Sequence, residues 1–396
     1  MRQTVSTILT ALVVLSLVAP ATATAAGVGV GSVGDTNPAM QADCSFPFTA
    51  TDATGTEVTI EEKPERVTTL NPSAAQTMWE IGGEEQVVGV SQFALYLDGA
   101  ERRSNVSAAG FGVNNEKVVA TDPDLVLAPN SISPETVEAL RNSGLTVFHL
   151  PDATNIEDVR EKTTLIGQLT GNCAGASEAN AWMMQNVDAA ENATADAERP
   201  SVLYPLGGPY VAGGNTFISA MINASGGSNV AAERGLTGYP EVSDEVVVEA
   251  NPEILLVQTE ADGEQYVTTE PYASTAAGQN GQYVVVEQNY LNQPAPRSVV
   301  YAVQNMTEGF HPDADAEFVS RAEFQANANT TETANGDGAT NETTQTDEAT
   351  ETEAPAANDD ETTTESGDST DTTGPGFGVT VAVAALAVAA LSARRL

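Results

Sequence analysis

The chain has 396 residues, with 55 acidic and 15 basic side chains, two histidines and two cysteines. The formal net charge of −40 argues against nucleic-acid binding, because affinity for a phosphate backbone depends on clustered lysine and arginine. Two cysteines exclude a disulfide-dense mini-protein, and two histidines exclude a histidine-rich metal site. An acidic surface with only three lysines suits a chain kept soluble by self-repulsion, as in concentrated brine.

Residues 1–26 have the pattern of a secretory signal peptide. Arg2 precedes a mostly apolar run over residues 5–18, and small residues follow Pro20. We therefore expect the mature protein to be exported. Asn-x-Ser/Thr sequons are compatible with a glycosylated exterior, and the candidate sites in the body are Asn105, Asn192, Asn223 and Asn305.

The C-terminal part of the chain predicts a stalk and an anchor. Residues 329–373 carry 13 acids, 15 threonines and no lysine or arginine, which predicts a disordered stalk. Residues 375–396 begin with Pro-Gly-Phe, continue as an apolar span and contain two arginines near the end. This layout resembles the PGF-type sorting signal of archaeal surface proteins, which implies replacement of the span by a lipid. A plain membrane helix is the alternative. Either anchor would tether the body outside the cell.

The body, residues 44–325, contains an internal repeat. Residues 115–127 recur as residues 244–256 at a constant offset of 129. In both copies a glutamate lies seven residues before a proline, and an acid and a short apolar run follow the proline. This pattern predicts a short helix, a turn and a buried strand in each half. We therefore expect two α/β lobes built on one plan.

Other apolar runs fit the same scheme as strands, at residues 66–70, 86–90, 146–150, 201–204 and 282–286. A helix is predicted after the first of them, with Gly82 and Gly83 as its stop. Residues 154–199 have helical periodicity, so we expect one long helix that links an N-terminal lobe, residues 44–153, to a C-terminal lobe, residues 200–325. The predicted fold is α/β, with two doubly wound lobes joined by a long helix.

The two cysteines, Cys44 and Cys173, are expected to form a disulfide in an oxidising exterior. The bond would tie the N-terminal segment of the body to the helical link. Two separate buried thiols are the alternative.

Several motifs resemble those of the substrate-binding proteins of ABC importers for cobalamin, ferric siderophores and haem. In the first half the similarity rests on RVTTLNPSA at residues 66–74 and IGGEEQVVGVS at residues 81–91. In the second half it rests on VAGGNTFI, ASGGSNV and GYPEVS, at residues 211–218, 224–230 and 238–243. The resemblance covers most of residues 57–325, with the motifs in the family's order.

The resemblance implies a monomer of two rigid lobes with a ligand cleft between them, no cofactor and no catalysis. The residues agree, because the sequence has no nucleophile-elbow pattern and only His149 and His311 for acid–base work. A zinc or manganese carrier would need clustered histidines and carboxylates, so His149 is interpreted as a structural residue.

Family positions predict the ligand site. Cobalamin binders place aromatic rings against the flat macrocycle, and aromatic residues stand here at Tyr96, Tyr210 and Tyr239. Further candidates, at or just past the ends of predicted strands, are Asn71, Phe93, Asn130 and Gln258. Arg297 resembles a family arginine that would face an anionic siderophore or pair with a carboxylate of the core.

The repeated glutamates predict a docking surface. In the family, one glutamate on each lobe pairs with arginines of the ABC permease dimer, and Glu116 and Glu245 match those positions. A protein with two similar halves can offer two equivalent charges to a symmetric dimer. Two ordinary solvated surface residues are the alternative.

Three functions follow from these features. The leading hypothesis is a membrane-tethered extracellular protein that binds a corrinoid such as cobalamin and delivers it to an ABC importer. A ferric-siderophore or haem carrier is the second, because only the cleft would differ. A structural cell-surface glycoprotein is the third, and the stalk and anchor would suit it. The duplicated segment and the ligand loops favour the transport hypotheses.

Overall fold

The computed structural model describes residues 44–110 and 112–327. Our predictions for residues 1–26, 329–373 and 375–396 concern parts of the chain outside these residues. Among the described residues, no helix is both long and apolar enough to cross a membrane. The described chain begins with an antiparallel hairpin of β1 (Phe48–Thr51) and β2 (Glu57–Ile60).

The N-terminal lobe is built on a parallel five-stranded sheet. Its strands are β3 (Val67–Thr69), β4 (Val87–Val90), β5 (Ser104–Asn105), β6 (Leu125–Ala128) and β7 (Val147–His149). The spatial order is β5-β4-β3-β6-β7, so the order reverses between β3 and β6. Three helices belong to this lobe, α1 (Pro72–Glu80), α2 (Asn115–Ala120) and α3 (Pro134–Asn142).

The C-terminal lobe repeats the plan with a parallel four-stranded sheet. Its strands are β8 (Ser201–Leu203), β9 (Ser228–Asn229), β10 (Ile254–Val257) and β11 (Tyr283–Val285), in the order β11-β10-β8-β9. The order reverses between β8 and β10, which correspond to β3 and β6 of the first lobe.

After the link, the described part of the chain contains seven α-helices. They are α6 (Phe217–Ala224), α7 (Val230–Glu233), α8 (Asp244–Ala250), α9 (Glu260–Thr268), α10 (Ala276–Asn280), α11 (Gln288–Leu291) and α12 (Pro296–Phe310). The last of them, α12, contacts α6 and β11 and also reaches α1 of the first lobe.

The link consists of two packed helices, α4 (Ile156–Thr170) and α5 (Cys173–Ala193). The prediction of a single helix here is wrong, because Gly171 adopts a left-handed conformation at φ 71° and ends α4. The long helix that joins the lobes is α5. Its first turns place Ala176 and Ala179 in the N-terminal core, and its later turns place Trp182 and Met183 in the C-terminal core.

Two close approaches fix the link against the first lobe. A Cβ atom on Gly175 would lie 2.1 Å from the carbonyl oxygen of Ile81, so α5 packs directly on the end of α1. Cys44 and Cys173 form a disulfide with their Cα atoms 5.8 Å apart. The bond attaches the start of the described chain to the first residue of α5.

The predicted α/β fold with two doubly wound lobes is confirmed. The five strands predicted outside the repeat exist, each shorter by one or two residues, and the repeated segments form α2–β6 and α8–β10 at equivalent places. The sequence interpretation missed the β1–β2 hairpin and the two-residue strands β5 and β9. Edge strands of two residues are too short for a periodic pattern.

Candidate functional site: the cleft between the lobes

The carboxyl ends of the parallel strands position the candidate ligand residues. In open α/β sheets, ligands bind beyond these ends at the point where the strand order reverses. Asn71 and Asn130 follow β3 and β6 of the first lobe, and Gln258 follows β10 of the second. The structure therefore places these three residues at the two switch points, as the sequence suggested.

Tyr96 belongs to a hydrogen-bond network that crosses from one lobe to the other. Its hydroxyl accepts a bond from the Nε2 of Gln76 at 2.7 Å. The Oε1 of Gln76 in turn accepts bonds from the backbone N–H and the hydroxyl of Ser298, at 3.0 and 2.9 Å. Burial raises the pKa of Tyr96 to about 12, so the phenol stays neutral at physiological pH.

Arg297 forms an ion pair with the buried carboxylate of Glu80 on α1. The Glu80 side chain is 3% exposed, and Arg321 approaches the same carboxylate at 3.8 Å. Of the two roles considered for Arg297, the structure shows the pairing with a core carboxylate. The Arg297 side chain is nevertheless 30% exposed.

A second group of residues lies at the boundary between the lobes, around Asp152. Asn130 donates a hydrogen bond from Nδ2 to the Oδ1 of Asp152 at 2.9 Å. Ala153 and Tyr239, from different lobes, pack in one hydrophobic cluster. Burial, reinforced by the negative charge of Asp152, raises the pKa of Tyr239.

Lys162 on α4 is buried at the same boundary, with 5% of its surface exposed. Burial lowers its pKa to about 8, while Asp152 and Asp158 act in the opposite direction. The sequence interpretation missed both Asp152 and Lys162. Asp152 follows the end of β7 by three residues, and Asn130 follows the end of β6 by two. This similar position past a strand end could have identified Asp152 as a candidate.

Gln258 is engaged by a buried tyrosine that the sequence interpretation also missed. Its Nε2 donates to the hydroxyl of Tyr204, which donates to the Oδ1 of Asn292 at 3.1 Å. Burial raises the pKa of Tyr204 to about 12. Tyr210, by contrast, is half-buried in the loop after β8, where its backbone bridges to Glu241.

Two further ligand candidates of the first lobe, Asn71 and Phe93, have different surroundings. The side chain of Asn71 caps α1, because its Oδ1 accepts the N–H of Ala74 at 3.1 Å. Phe93 lies in a short 3₁₀ turn with 36% of its surface exposed, and Leu95 beside it is 43% exposed. An exposed apolar turn next to Tyr96 is compatible with contact to a flat ligand.

Glu116 and Glu245 occupy equivalent, exposed positions. Glu116 lies in the first turn of α2 and Glu245 in the first turn of α8. Three residues further on, Val119 and Val248 are each 40% exposed, so both helices present an acid and a valine on one face.

The four candidate glycosylation residues, Asn105, Asn192, Asn223 and Asn305, are exposed as well.

Both histidines bond to backbone carbonyl groups. The Nε2 of His149 lies 3.0 Å from the oxygen of Ile132, and that of His311 lies 3.1 Å from the oxygen of Gly226. In the described part of the chain, no group of three or more His, Cys, Asp or Glu residues could hold a metal ion.

Two parallel-sheet lobes joined by a long helix, with polar residues just past the carboxyl ends of strands in both lobes, define a two-lobed ligand-binding protein. A family model described as "Periplasmic binding protein" matches residues 67–290. The chain is 43% identical to a cobalamin-binding protein of Halobacterium salinarum over 97% of this chain and 98% of the relative. The chain therefore belongs to the periplasmic binding protein family, and the prediction of a binding protein rather than an enzyme is confirmed.

More distant relatives agree in fold. A vitamin B12-binding protein of Yersinia pestis is 24% identical over 61% of this chain and 84% of its own length. The periplasmic heme-binding protein RhuT of Roseiflexus superposes with a TM-score of 0.56 and 25% identity, over 62% of this chain and 99% of that one. The heme-binding protein HmuT superposes with a TM-score of 0.58 at 20% identity, over 71% and 96%.

Proposed function

We propose that this protein captures a corrinoid such as cobalamin outside the cell and delivers it to an ABC importer. The observation that carries the proposal is the 43% identity to the Halobacterium cobalamin-binding protein, which extends over nearly the whole of both chains. Tyr96 and Tyr239, both half-buried, would offer neutral aromatic rings on which a flat macrocycle could stack.

A haem or ferric-siderophore ligand is the second candidate, and the heme-binding proteins of similar fold favour it. Both ligands carry negative charge in their common forms. The pairing of Arg297 with Glu80 weighs against them, because the guanidinium charge is already compensated. Family membership also weighs against a purely structural surface glycoprotein.

Calorimetry of the purified protein with cyanocobalamin, haemin and a panel of ferric siderophores tests the ligand. We expect tight binding of cyanocobalamin, weakened by Tyr239→Ala at a temperature at which the melting curve shows that the variant is folded. Binding of haemin or a ferric siderophore alone would replace the first candidate by the second. Failure to bind any of these ligands would contradict both.

Glu116 and Glu245 would dock the protein on the two subunits of the permease. The support is their equivalent exposure on α2 and α8, together with the exposed valines beside them. We expect the double variant Glu116→Arg/Glu245→Arg to abolish stimulation of the importer's ATPase and to keep the ligand affinity of the wild type. The variant Glu138→Arg/Glu264→Arg, on the exposed surfaces of α3 and α9, is the matched control. Equal stimulation of the ATPase by the wild type, the Glu116/Glu245 variant and the control variant would contradict the docking role.

Export and anchoring complete the proposal. Residues 1–26 would direct secretion, and residues 375–396 would attach the protein to the membrane after the stalk of residues 329–373. A chain that ends at residue 374 should appear in the medium, whereas the full chain should remain with the membrane fraction. A mass for the mature protein that includes residues 375–396 would favour the plain helix over the lipid.

A further inference from the structure

The last part of the described chain contacts both lobes and the helix that links them. After α12 ends at Phe310, residues 318–325 lie along α5, and we call this segment the C-terminal strap. Phe318 and Phe324 pack against the core of the second lobe. The strands β1–β11 and the helices α1–α12 all lie before residue 311. The strap is therefore an addition to two lobes whose sheets are already complete.

Two side chains of α5 hold the backbone of the strap. The buried amide of Asn186 bonds to Val319 in both directions. Its Oδ1 accepts the backbone N–H of Val319 at 2.8 Å, and its Nδ2 donates to the carbonyl oxygen at 3.1 Å. Trp182 donates from Nε1 to the same carbonyl oxygen at 2.8 Å. Because Asn186 is fully buried, these bonds fix one position of the strap on α5.

Arg321 connects the strap to the first lobe. Its guanidinium donates to the carbonyl oxygens of Glu178 on α5 and Glu80 at the end of α1, at 3.2 and 3.3 Å. It also lies 3.3 Å from the carboxylate of Glu178 and 3.8 Å from that of Glu80. The ring centroids of Trp182 and Phe324 lie 5.5 and 5.9 Å from its central carbon. A planar group with five donors suits such a junction of three elements.

The helix that Arg321 holds also positions a candidate ligand residue. Gln76, one turn before Glu80 on α1, donates to the hydroxyl of Tyr96 at 2.7 Å. A contact that fixes the end of α1 on the linking helix therefore also fixes the support of Tyr96.

We propose that the C-terminal strap fixes the angle between the lobes, with Arg321 as its positioning residue, so that the cleft has its binding geometry before a ligand arrives. A site that is ordered in advance binds more tightly, because the ligand does not have to order it. The effect of the strap on the lobes does not depend on the identity of the ligand. Its effect on cyanocobalamin binding rests on the proposed function.

The first test measures the distance between the lobes without ligand, by double electron–electron resonance. Spin labels are attached at Glu138→Cys on α3 and Glu264→Cys on α9, one exposed position in each lobe. The native cysteines are engaged in their disulfide. We expect one narrow distance distribution for the otherwise unchanged chain and a distribution about twofold wider for Arg321→Met, because the lobes can then move on the link.

Arg199→Met is the matched control. Arg199 donates to the carbonyl oxygens of Asn223 and Gly227 at 2.8 and 2.6 Å, and both acceptors belong to the second lobe. Its loss should lower stability and leave the distance distribution unchanged. Arg321→Lys keeps a positive charge beside Glu80 and Glu178 without the planar geometry, and it should widen the distribution less than Arg321→Met. It decides the matter if Arg321→Met does not fold.

The second test measures cyanocobalamin binding by the same proteins without labels. We expect Arg321→Met to bind about three- to tenfold more weakly than the wild type, with faster dissociation, because the ligand must now order the lobes. Arg199→Met should bind as the wild type does, at a temperature at which both variants are folded.

Two results would overturn the inference. One is a distance distribution that stays as narrow in the folded Arg321 variants as in the unchanged chain. The other is equal widening in Arg321→Met and Arg199→Met, because a general loss of stability would then explain it. If the wild type does not bind cyanocobalamin, the proposed function fails, and the distance measurement still decides the role of the strap.

Discussion

Ser298, the third residue of α12, donates two hydrogen bonds to the side-chain oxygen of Gln76 on α1, 222 residues earlier in the chain. One bond comes from its backbone N–H at 3.0 Å and the other from its hydroxyl at 2.9 Å. Both residues are fully buried. The lobes are therefore held together by direct bonds in addition to the covalent link through α4 and α5.

Replacing Gln76 by leucine should weaken the fold strongly. The substitution keeps the approximate volume, leaves the buried N–H and hydroxyl of Ser298 without this acceptor and removes the donor to Tyr96. The hydroxyl keeps the carbonyl oxygen of Asn289 at 3.2 Å as an acceptor, so the backbone N–H of Ser298 is the group left unpaired. An unpaired buried polar group costs about 1–3 kcal/mol, and we expect a loss of that size in the free energy of unfolding. Chemical denaturation measures it. Gln279→Ala, on an exposed surface, is the control, and a Gln76 variant as stable as this control would contradict the interpretation.

The pair of Arg297 and Glu80 should contribute far more than a surface ion pair. We expect Arg297→Met to lower the free energy of unfolding by about 2–4 kcal/mol, because Glu80 loses its closest partner in a buried place. A double-mutant cycle with Glu80→Met should give a coupling energy above about 1 kcal/mol.

The exposed pair of Arg160 and Glu157, three residues apart on α4, provides the matched control. Its coupling energy should be about 0.3–0.5 kcal/mol, as for other surface pairs on helices. Similar coupling energies in the two double-mutant cycles would show that Arg297 stabilises Glu80 no more than an exposed ion pair would. The cyanocobalamin affinity of Arg297→Met should stay near that of the wild type, since the guanidinium is engaged by the protein itself.

Asp52, in the turn of the β1–β2 hairpin, should make stability depend on acidic pH. Burial opposes its charged form, but hydrogen bonds from Thr54, His149 and Arg141, among others, outweigh burial and lower the pKa to about 2. The folded state thus holds the carboxylate charged below the pKa of the unfolded chain, which lies near 4. The stabilisation is complete above about pH 5 and is lost as the pH falls toward 2.

The pKa of Asp52 in the folded state lies almost two units below that in the unfolded chain, which corresponds to about 2 kcal/mol of stability. We therefore expect the stability advantage of the wild type over Asp52→Asn to shrink by about that amount between pH 6 and pH 2. Denaturation at a series of pH values measures the difference, and constant salt removes general charge effects. A difference that does not change with pH would show that Asp52 does not titrate differently in the folded and unfolded chains.

The sequence predicted the lobes because their strands are short, largely buried apolar runs, such as residues 125–128 and 254–257. The repeat around Glu116 and Glu245 showed that the second half follows the plan of the first. The break in the link was harder to predict, because Gly171 can continue or end a helix and only its backbone conformation decides.

The sequence-based prediction of the site was less complete, for a physical reason. Asn71, Asn130 and Gln258 could be proposed as candidates because each follows a strand of one lobe. Gln76 and Ser298 could not, because their contact joins helices of different lobes and leaves no local pattern. The burial of Lys162 is equally hard to predict, because a lysine on a helix is usually exposed at its charged end and only the packing shows otherwise.

Lys162 itself leads to the last prediction, that its removal makes the unliganded protein more stable. Burial lowers the pKa of its amine to about 8, whereas the unfolded chain has a lysine pKa near 10.4. The folded state therefore disfavours the charged amine. The cost is complete below about pH 8 and disappears as the pH rises past the pKa of the unfolded chain.

We expect Lys162→Met to raise the free energy of unfolding by about 3 kcal/mol at pH 7 and to match the wild type near pH 11. Lys63→Met, at an exposed position, should change stability by less than about 0.5 kcal/mol at either pH. A Lys162→Met variant that is less stable than the wild type at pH 7 would show instead that the fold itself depends on the amine.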